Sequence, residues 1–379
     1  MIGVVFGTTG ELIKIAPLCR AIRDRSGREP LLICTGQQPE QLPDMLRAFG
    51  LRQPDVWLAR GSGGRDLARA ADIPGWGARV VGNAARRRGW LRRALQSDGR
   101  APMVIVHGDT FTTVAGALMG RAMAVPVGHV EAGLRSGDWR NPFPEELNRR
   151  ITSRLARVHF APGAWAAGNL RDAGVGGEIV DTGANTIADS LALVTATPEI
   201  DLPDPPFGVV SIHRFELLRD QARLRAVLEA IRDGARRTPL LFVDHPVTCD
   251  ALTAQGLDGL LDGEGITRIP RQGYGSFIGL LTRSAFLLTD SGGCQEEAAV
   301  LGHPTLIHRA RTERRDGLDG GPVVLSHLDL DEVRRFLDGG WEASRRSGVR
   351  PGESPTGVIE RWLVTHGHLA EHDAAPGGR

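Results

Sequence analysis

The chain has 379 residues, of which 41% are apolar and 24% charged, with a formal net charge of +1. This length predicts two domains of ordinary size, and the balanced charge gives no long-range attraction to nucleic acid or to a membrane surface. No apolar run approaches the roughly 20 residues that span a bilayer, and the N-terminus lacks a basic secretory leader, so we expect a cytoplasmic protein. The four cysteines form no CxxC pair, which predicts neither a zinc site nor a disulfide framework.

Strand and helix patterns alternate through the first half of the chain. They predict strands over Ile2–Gly7, Leu31–Thr35, Met103–Val106, Ala124–Val130, His159–Ala161 and Ile179–Thr182, and helices over Glu11–Arg25 and Ala78–Leu95. Two glycine-rich stretches, Gly61–Gly64 and Asp72–Gly77, predict an irregular and mobile surface region.

The same rhythm restarts after Ala196–Phe207, whose four prolines predict an interdomain linker. The predicted strands are Gly208–His213, Leu240–Val243, Gly265–Ile269, Ala285–Thr289 and Pro304–Ile307; the predicted helices are Glu216–Arg236, Ser276–Thr282, Gly293–Leu301 and Thr356–His366, before a frayed tail, Glu371–Arg379. Two βαβ halves predict an α/β fold of two doubly wound domains, residues 1–195 and 206–350, facing a cleft.

Ionisable residues follow two neighbouring strands of the first half. Asp109 comes after one apolar run and Glu131 after the next, and Glu145 opens a helix nearby. Ligands bind outside the carboxyl ends of strands in open parallel sheets, so we expect these carboxylates in one crevice. The sequence therefore predicts acid–base chemistry on a bound ligand.

Two loops carry weaker signals for phosphate. Gly7–Glu11 joins a strand to a helix that carries Lys14, the only lysine, which is either a ligand contact or a chance survivor on a solvated face. Thr289–Glu297 places Ser291, two glycines and a pair of glutamates at another helix start. This loop can bind phosphates and a ribose diol, or be a capped helix without a ligand.

A strand end in the second half carries His213 and Arg214. This pair fits a phosphate clamp or a general acid, although a lone histidine at a strand end is more often structural.

Several segments together resemble the non-hydrolysing UDP-N-acetylglucosamine 2-epimerases over about residues 2–320. They are VHGDTFTTVAGAL, PVGHVEAGLRSGDWRNPFPEELNRRITSRLA, HFAP, HRFE and LLTDSGGCQEEAAVLGHPTL. The resemblance implies a GT-B fold of two Rossmann-like domains, with UDP held mainly by the second and helix 356–367 packed on the first. It implies C2 inversion of UDP-GlcNAc to UDP-ManNAc through elimination of UDP and a 2-acetamidoglucal, without cofactor or metal.

The resemblance also implies roles for single residues. The acidic catalytic residues are Asp109, Glu131 and Glu145, with His213 near the departing diphosphate. The remaining positions are Lys14, Arg135, Ser291, Gly292, Gly293, Glu297 and Arg314 for substrate or UDP, and Gln37 and Arg214 for an allosteric site. The partners implied are a UDP-sugar and a second copy of the chain in a homodimer.

Departures from the family pattern affect the nucleotide contacts more than the acids. Thr9 replaces an arginine that helps to hold the nucleotide, Phe215 replaces another arginine, and a TGN segment is extended to Thr182–Asn185. A weakened diphosphate clamp leaves open a hydrolysing enzyme that releases free ManNAc and UDP. A GT-B glycosyltransferase and a non-catalytic regulator that binds a nucleotide sugar stay open as well.

Overall fold

The computed structural model describes residues 1–67, 70–138, 143–312, 314–348 and 352–370. Contacts divide the chain into two units, Met1–Leu193 with Pro351–Arg379, and Val194–Arg350. We call them the N-terminal unit and the C-terminal unit. The predicted tail, Glu371–Arg379, lies outside the described residues.

The N-terminal unit alternates strands and helices. Its strands are β1 (Ile2–Phe6), β2 (Leu31–Cys34), β3 (Val56–Trp57), β4 (Met103–His107), β5 (Val127–Val130), β6 (Val158–Ala161) and β7 (Glu178–Asp181). Its helices are α1 (Thr9–Ser26), α2 (Leu42–Ala48), α3 (Ile73–Leu95), α4 (Phe111–Ala122), α5 (Glu145–Leu155), α6 (Ala164–Asp172) and α7 (Ile187–Leu193).

The strands of this unit form one parallel sheet in the order β3-β2-β1-β4-β5-β6-β7. The central strands β1 and β4 are nearly continuous apolar runs, which is typical of parallel strands buried on both faces. The strand order reverses between β1 and β4, and this switch point is where such sheets bind ligands. Every residue of β1 and β4 is buried, which makes the loops that follow them a rigid platform.

The C-terminal unit repeats this plan. Its strands are β8 (Gly208–Ser211), β9 (Leu240–Asp244), β10 (Ile266–Pro270), β11 (Phe286–Thr289), β12 (Thr305–Ile307) and β13 (Val323–Leu325). Its helices are α8 (Phe215–Leu218), α9 (Gln221–Ala235), α10 (Pro246–Gln255), α11 (Tyr274–Arg283), α12 (Gly293–Leu301) and α13 (Leu330–Leu337). The parallel order is β10-β9-β8-β11-β12-β13, so the switch point lies between β8 and β11.

The last helix, α14 (Pro355–Thr365), belongs to the N-terminal unit. The guanidinium of Arg25 in α1 pairs with Glu360, and the amide of Thr356 donates to Asp189 of α7 over 2.8 Å. The ring of Trp362 meets Phe160 edge to face, with 5.4 Å between centroids. Polar and aromatic contacts therefore hold this helix on the unit where the chain began.

One prediction about an irregular segment is wrong. Residues 73–77, predicted to be mobile, form the first turns of α3, where the buried Trp76 indole donates to the carbonyl of Thr35 over 2.8 Å. A buried aromatic ring with a backbone acceptor outweighs the glycine content of this segment.

The proline-rich segment 196–207 forms neither helix nor strand. It is nevertheless packed near its start, because the amide of Glu199 donates to the hydroxyl of Ser276 in α11 over 3.0 Å. The segment therefore follows the surface of the C-terminal unit before β8 begins.

Candidate functional site

Glu131 follows β5 and is the most deeply buried of the predicted catalytic acids, with 3% of its side chain exposed. Its backbone has a φ of +64°, a strained left-handed conformation for a glutamate. The carboxylate oxygen Oε2 accepts from the ammonium of Lys14 and from the side-chain amide of Asn185. The Nε2 atom of His107 lies 3.7 Å from the same oxygen. The attraction between the Lys14 ammonium and the Glu131 carboxylate offsets the free-energy cost of removing both charges from water.

Asp109 lies at the end of β4, next to the switch point. A left-handed glycine, Gly108 (φ +71°), turns the chain, and its carbonyl bonds the ring of His129 over 2.8 Å. Two residues of α5 then hold the aspartate. Arg149 pairs with the Asp109 carboxylate, and Asn148 donates to its carbonyl over 2.8 Å. The side chain keeps 18% exposure, so it is both anchored and accessible to a ligand.

Glu145 is the first residue of α5 and is half-buried. The following residue, Glu146, is fully buried and pairs with Arg149 at 3.4 Å and with Arg135 at 3.9 Å. Arg135, predicted to contact the substrate, also donates to Ser153 over 3.1 Å, and burial lowers the pKa of its guanidinium. In the described residues, Arg135 therefore serves to pin α5 beside β5.

The β1–α1 loop is held by side chains of its own unit. Glu11 accepts from the amides of Gly7 and Thr8 over 2.8 and 2.9 Å, and Gln38 accepts from both the amide and the hydroxyl of Thr9. A Cβ on Gly7 would lie 2.1 Å from the Thr35 hydroxyl, so only glycine fits there. The loop thus offers an anion fewer amide donors than its sequence pattern predicts.

Gln37, predicted to be allosteric, belongs to the same polar region, where its Oε1 accepts from the hydroxyl of Thr112 over 2.9 Å. Arg214, the second predicted allosteric residue, lies in the C-terminal unit, with its guanidinium 3.6 Å from Glu216.

Asp290 organises the switch point of the C-terminal unit. Its carboxylate, 1% exposed, accepts from the amide of His213 over 3.0 Å and from the amide of Arg214 over 2.8 Å. The His213 ring is tilted against His245, with 4.5 Å between centroids, and its Nδ1 lies 3.5 Å from Asp290. Burial lowers the pKa of His213, and lowers that of His245 to about 3. The lowered pKa of each ring favours the neutral imidazole in the free protein.

Ser291, Gly292 and Gly293 lead from β11 into α12. The amide of Ser291 donates to Thr289 over 3.0 Å, which fixes the turn. Glu297 in α12 is 7% exposed and accepts from the hydroxyl of Tyr274 at 3.4 Å. A serine hydroxyl, small residues and a helix start are suited to binding phosphate oxygens.

Arg314 lies over the side of α12. Its Nε is 3.2 Å from the carboxylate of Glu296, and its carbonyl accepts from Gln295 over 3.2 Å. The same glutamine accepts from the Thr312 hydroxyl over 2.8 Å. The Glu296 carboxylate is thus paired with the guanidinium of Arg314.

The sequence predicts no role for several residues that complete these sites. His107, Arg149 and Asp290 are directly in contact with, or bonded to, predicted site residues. Asn185 could have been found from the sequence, because it is the last residue of the extended TGN segment, Thr182–Asn185. The inserted residue does not displace it, because its side-chain amide still reaches Glu131.

Within the described ranges, no helix is long and apolar enough to cross a membrane. No group of three or more His, Cys, Asp or Glu side chains in those ranges is arranged to hold a metal ion. The expectation that no cofactor is needed stays a prediction.

Fold and strand-end residues together define a two-domain, doubly wound α/β protein of the GT-B class, as predicted. A family model described as UDP-N-acetylglucosamine 2-epimerase matches residues 89–346. The enzyme of that name from Yersinia pestis is 34% identical over 344 residues, which cover 87% of each chain. The chain belongs to the UDP-N-acetylglucosamine 2-epimerase family and is an epimerase.

Two crystal structures show the same architecture. The UDP-GlcNAc 2-epimerase of Methanocaldococcus jannaschii, in complex with UDP-GlcNAc and UDP, matches with a TM-score of 0.76 and 26% identity over 97% of this chain and 99% of that one. The Neisseria meningitidis enzyme, bound to UDP-GlcNAc, matches with a TM-score of 0.77 and 26% identity over 96% and 99%. The family and the fold class predicted from sequence are thereby confirmed.

Proposed function

We propose that this chain interconverts UDP-GlcNAc and UDP-ManNAc by inverting C2 of the sugar. Both crystallised relatives described above bind UDP-GlcNAc. The observation that carries the proposal is the buried Lys14–Glu131 pair, which lies at a strand end beside the Asp109 loop. A buried carboxylate with fixed partners is suited to moving a proton on a bound ligand.

The chemistry must avoid direct removal of the C2 proton, because no carbonyl group adjoins C2. Elimination solves this problem. The C1–O bond breaks with its electron pair leaving on UDP, the C2 proton passes to a carboxylate, and a C1=C2 double bond forms in 2-acetamidoglucal. A proton then returns to C2 on the opposite face while UDP adds again to C1. Carboxylates also stabilise the positive charge that develops at C1.

The proton transfers are assigned to Asp109, Glu131 and Glu145. Lys14 and Asn185 orient the Glu131 carboxylate and limit its motion. Arg149 does the same for Asp109. Such fixed partners hold a group close to its productive geometry before the substrate binds.

Binding of the nucleotide is assigned to the C-terminal unit. Ser291, Gly292 and Gly293 would contact the diphosphate, Glu297 the ribose, and Arg314, held by Glu296, would donate to the nucleotide. Burial lowers the pKa of His213, which favours its neutral imidazole in the free protein. A diphosphate beside the ring would favour the imidazolium, which can donate a hydrogen bond to the departing UDP.

The decisive experiment is proton NMR of UDP-GlcNAc with the full-length protein in D₂O. We expect UDP-ManNAc and deuterium at C2 of both sugars. If the sugar nucleotide persists without exchange, the proposal is wrong. A homodimer and a cytoplasmic location also remain predictions; analytical ultracentrifugation tests the first, and cell fractionation the second.

A hydrolysing reaction is the second candidate, and one observation favours it. Thr9 stands where the family has an arginine, and its amide and hydroxyl both donate hydrogen bonds to Oε1 of Gln38. This position therefore brings no positive charge to a diphosphate. The same NMR experiment distinguishes the two, since free ManNAc with an equal amount of UDP would select hydrolysis.

A further inference from the structure

The side chain of Glu11 connects two loops at the switch point of the N-terminal unit. Its Oε2 accepts from the amides of Gly7 and Thr8 in the β1–α1 loop. Its Oε1 accepts from the hydroxyl of Thr110 over 2.5 Å, across 99 residues of sequence. The hydroxyl of Thr113 lies at 3.4 Å from the same oxygen. One carboxylate thus ties the loop after β1 to the loop after β4.

Helix capping alone does not explain this arrangement. Thr8 and Glu11 form a capping box at the start of α1, a motif that is complete without burial. Here only 3% of Glu11 is exposed, and burial raises the pKa of its carboxyl to about 7. Burying a carboxylate is costly, so the additional bonds to Thr110 and Thr113 point to a second role.

That second role concerns Asp109, the residue next to Thr110. On one side, Arg149 and Asn148 of α5 hold the carboxylate and the carbonyl of Asp109. On the other side, the backbone continues into Thr110, whose hydroxyl is fixed by Glu11. Without Glu11, the Thr110 hydroxyl keeps only its capping-box bond to Thr113 at the start of α4, and the connection to the β1–α1 loop is lost.

We propose that Glu11 is a positioning residue for the reaction. By holding the hydroxyl of Thr110, it fixes the position of the neighbouring Asp109 carboxylate. This inference rests on the proposed function and deepens it. Glu11 need not touch the substrate, so its loss should lower kcat much more than it changes KM. A misplaced catalytic group commonly costs roughly 10²-fold in rate.

The test is a double-mutant cycle on the full chain, with kcat and KM measured by C2 deuterium exchange and epimer formation. We expect Glu11→Ala and Thr110→Val each to lower kcat roughly 10–100-fold, with KM within about 3-fold of wild type. Because the two variants share the Glu11–Thr110 bond, the double variant should lose less than the product of the two single losses, although Thr110→Val also removes the N-cap of α4.

Conservative variants separate the link from a loss of folding. Glu11→Gln keeps an acceptor for the two loop amides and a group that bonds Thr110, and Thr110→Ser keeps the hydroxyl. Both should retain kcat within about 5-fold. Ser354→Ala removes a comparable helix cap at α14 and should leave kcat unchanged.

The outcomes are distinct. A wild-type chain that exchanges no deuterium overturns the proposed function. An active wild type whose Glu11→Ala variant keeps its kcat overturns only the positioning role. So does a double variant whose loss equals the product of the two single losses, or a Glu11→Gln variant as slow as Glu11→Ala.

Discussion

The two units share one topology but present different chemistry at their switch points. In the N-terminal unit, the strands end in carboxylates that buried cations hold, as Lys14 holds Glu131 and Arg149 holds Asp109. In the C-terminal unit, the buried carboxylate of Asp290 is turned inward onto backbone amides, and imidazoles and a glycine-rich turn remain for a ligand. The strand order fixes where a site lies, whereas the residues at the strand ends fix what it does.

The largest expected effect sharpens this division of labour. Replacing Glu131 by Gln removes a proton-transfer group but retains its shape, so kcat should fall by roughly 10²–10⁴-fold. Binding of UDP, which is assigned to the C-terminal unit, should stay within about 2-fold by titration calorimetry. An equal loss of UDP affinity would contradict the assignment.

Next in size is the effect of breaking the buried ion pair. Lys14→Met leaves the Glu131 carboxylate buried without its cation, and should lower the free energy of unfolding by about 3–5 kcal/mol. Adding Glu131→Gln to that variant should recover part of the loss, because no buried charge then lacks its partner. Denaturant melts of the two single variants and the double variant measure this; additive losses would show that the pair is not coupled.

A smaller effect is expected in the C-terminal unit. Glu297→Ala should raise KM for UDP-GlcNAc by roughly 10–100-fold, the usual cost of a hydrogen bond to a charged group, with kcat little changed. The matched control is Glu229→Ala, a half-buried glutamate of α9 outside the proposed site, which should change neither constant. A fall in kcat alone would place Glu297 among the chemical groups and break the contrast between the units.

The smallest effect is a dependence of stability on pH that both units share. Burial lowers the pKa of His129 to about 3 in the N-terminal unit and that of His308 to about 4 in the C-terminal unit. Both values lie below the unfolded value of 6.5, so stability is lost as the pH falls below 6.5. Each histidine should contribute roughly 2 kcal/mol of loss between pH 6.5 and 5.

Variants measure that contribution one unit at a time. His129→Asn and His308→Asn should each give a shallower fall of stability across this pH range than the wild type does, in chemical melts. An unchanged slope in either variant would mean that the ring has the same pKa in the native and unfolded states.

Much of this structure is predictable because its signals are local. Apolar runs with ionisable residues at their ends indicate Asp109 and Glu131, and small residues before a helix indicate Ser291–Gly293. Contacts between distant segments leave no such signal. Nothing in the sequence near Glu11 indicates that its carboxylate meets Thr110, or that Glu146 rather than Glu145 is the fully buried member of its pair.

The remaining differences between the sequence predictions and the structure arise where tertiary packing outweighs local propensity. The glycines before Ala78 predict an irregular segment, but the indole of Trp76 finds a buried acceptor and the helix extends through them. The Arg314–Glu296 pair is likewise invisible in the sequence, because it depends on how a loop folds over α12.

The left-handed backbone of Glu131 lowers the stability of the fold, while its carboxylate is needed for the proposed reaction. Such a conformation costs a glutamate of order 1 kcal/mol or more, and glycine adopts it freely. Glycine at this position, combined with Lys14→Met, would relieve both strain and buried charge. A library screened only for heat resistance should therefore enrich a sequence that has lost its chemistry, whereas a library screened for product should retain the strained acid.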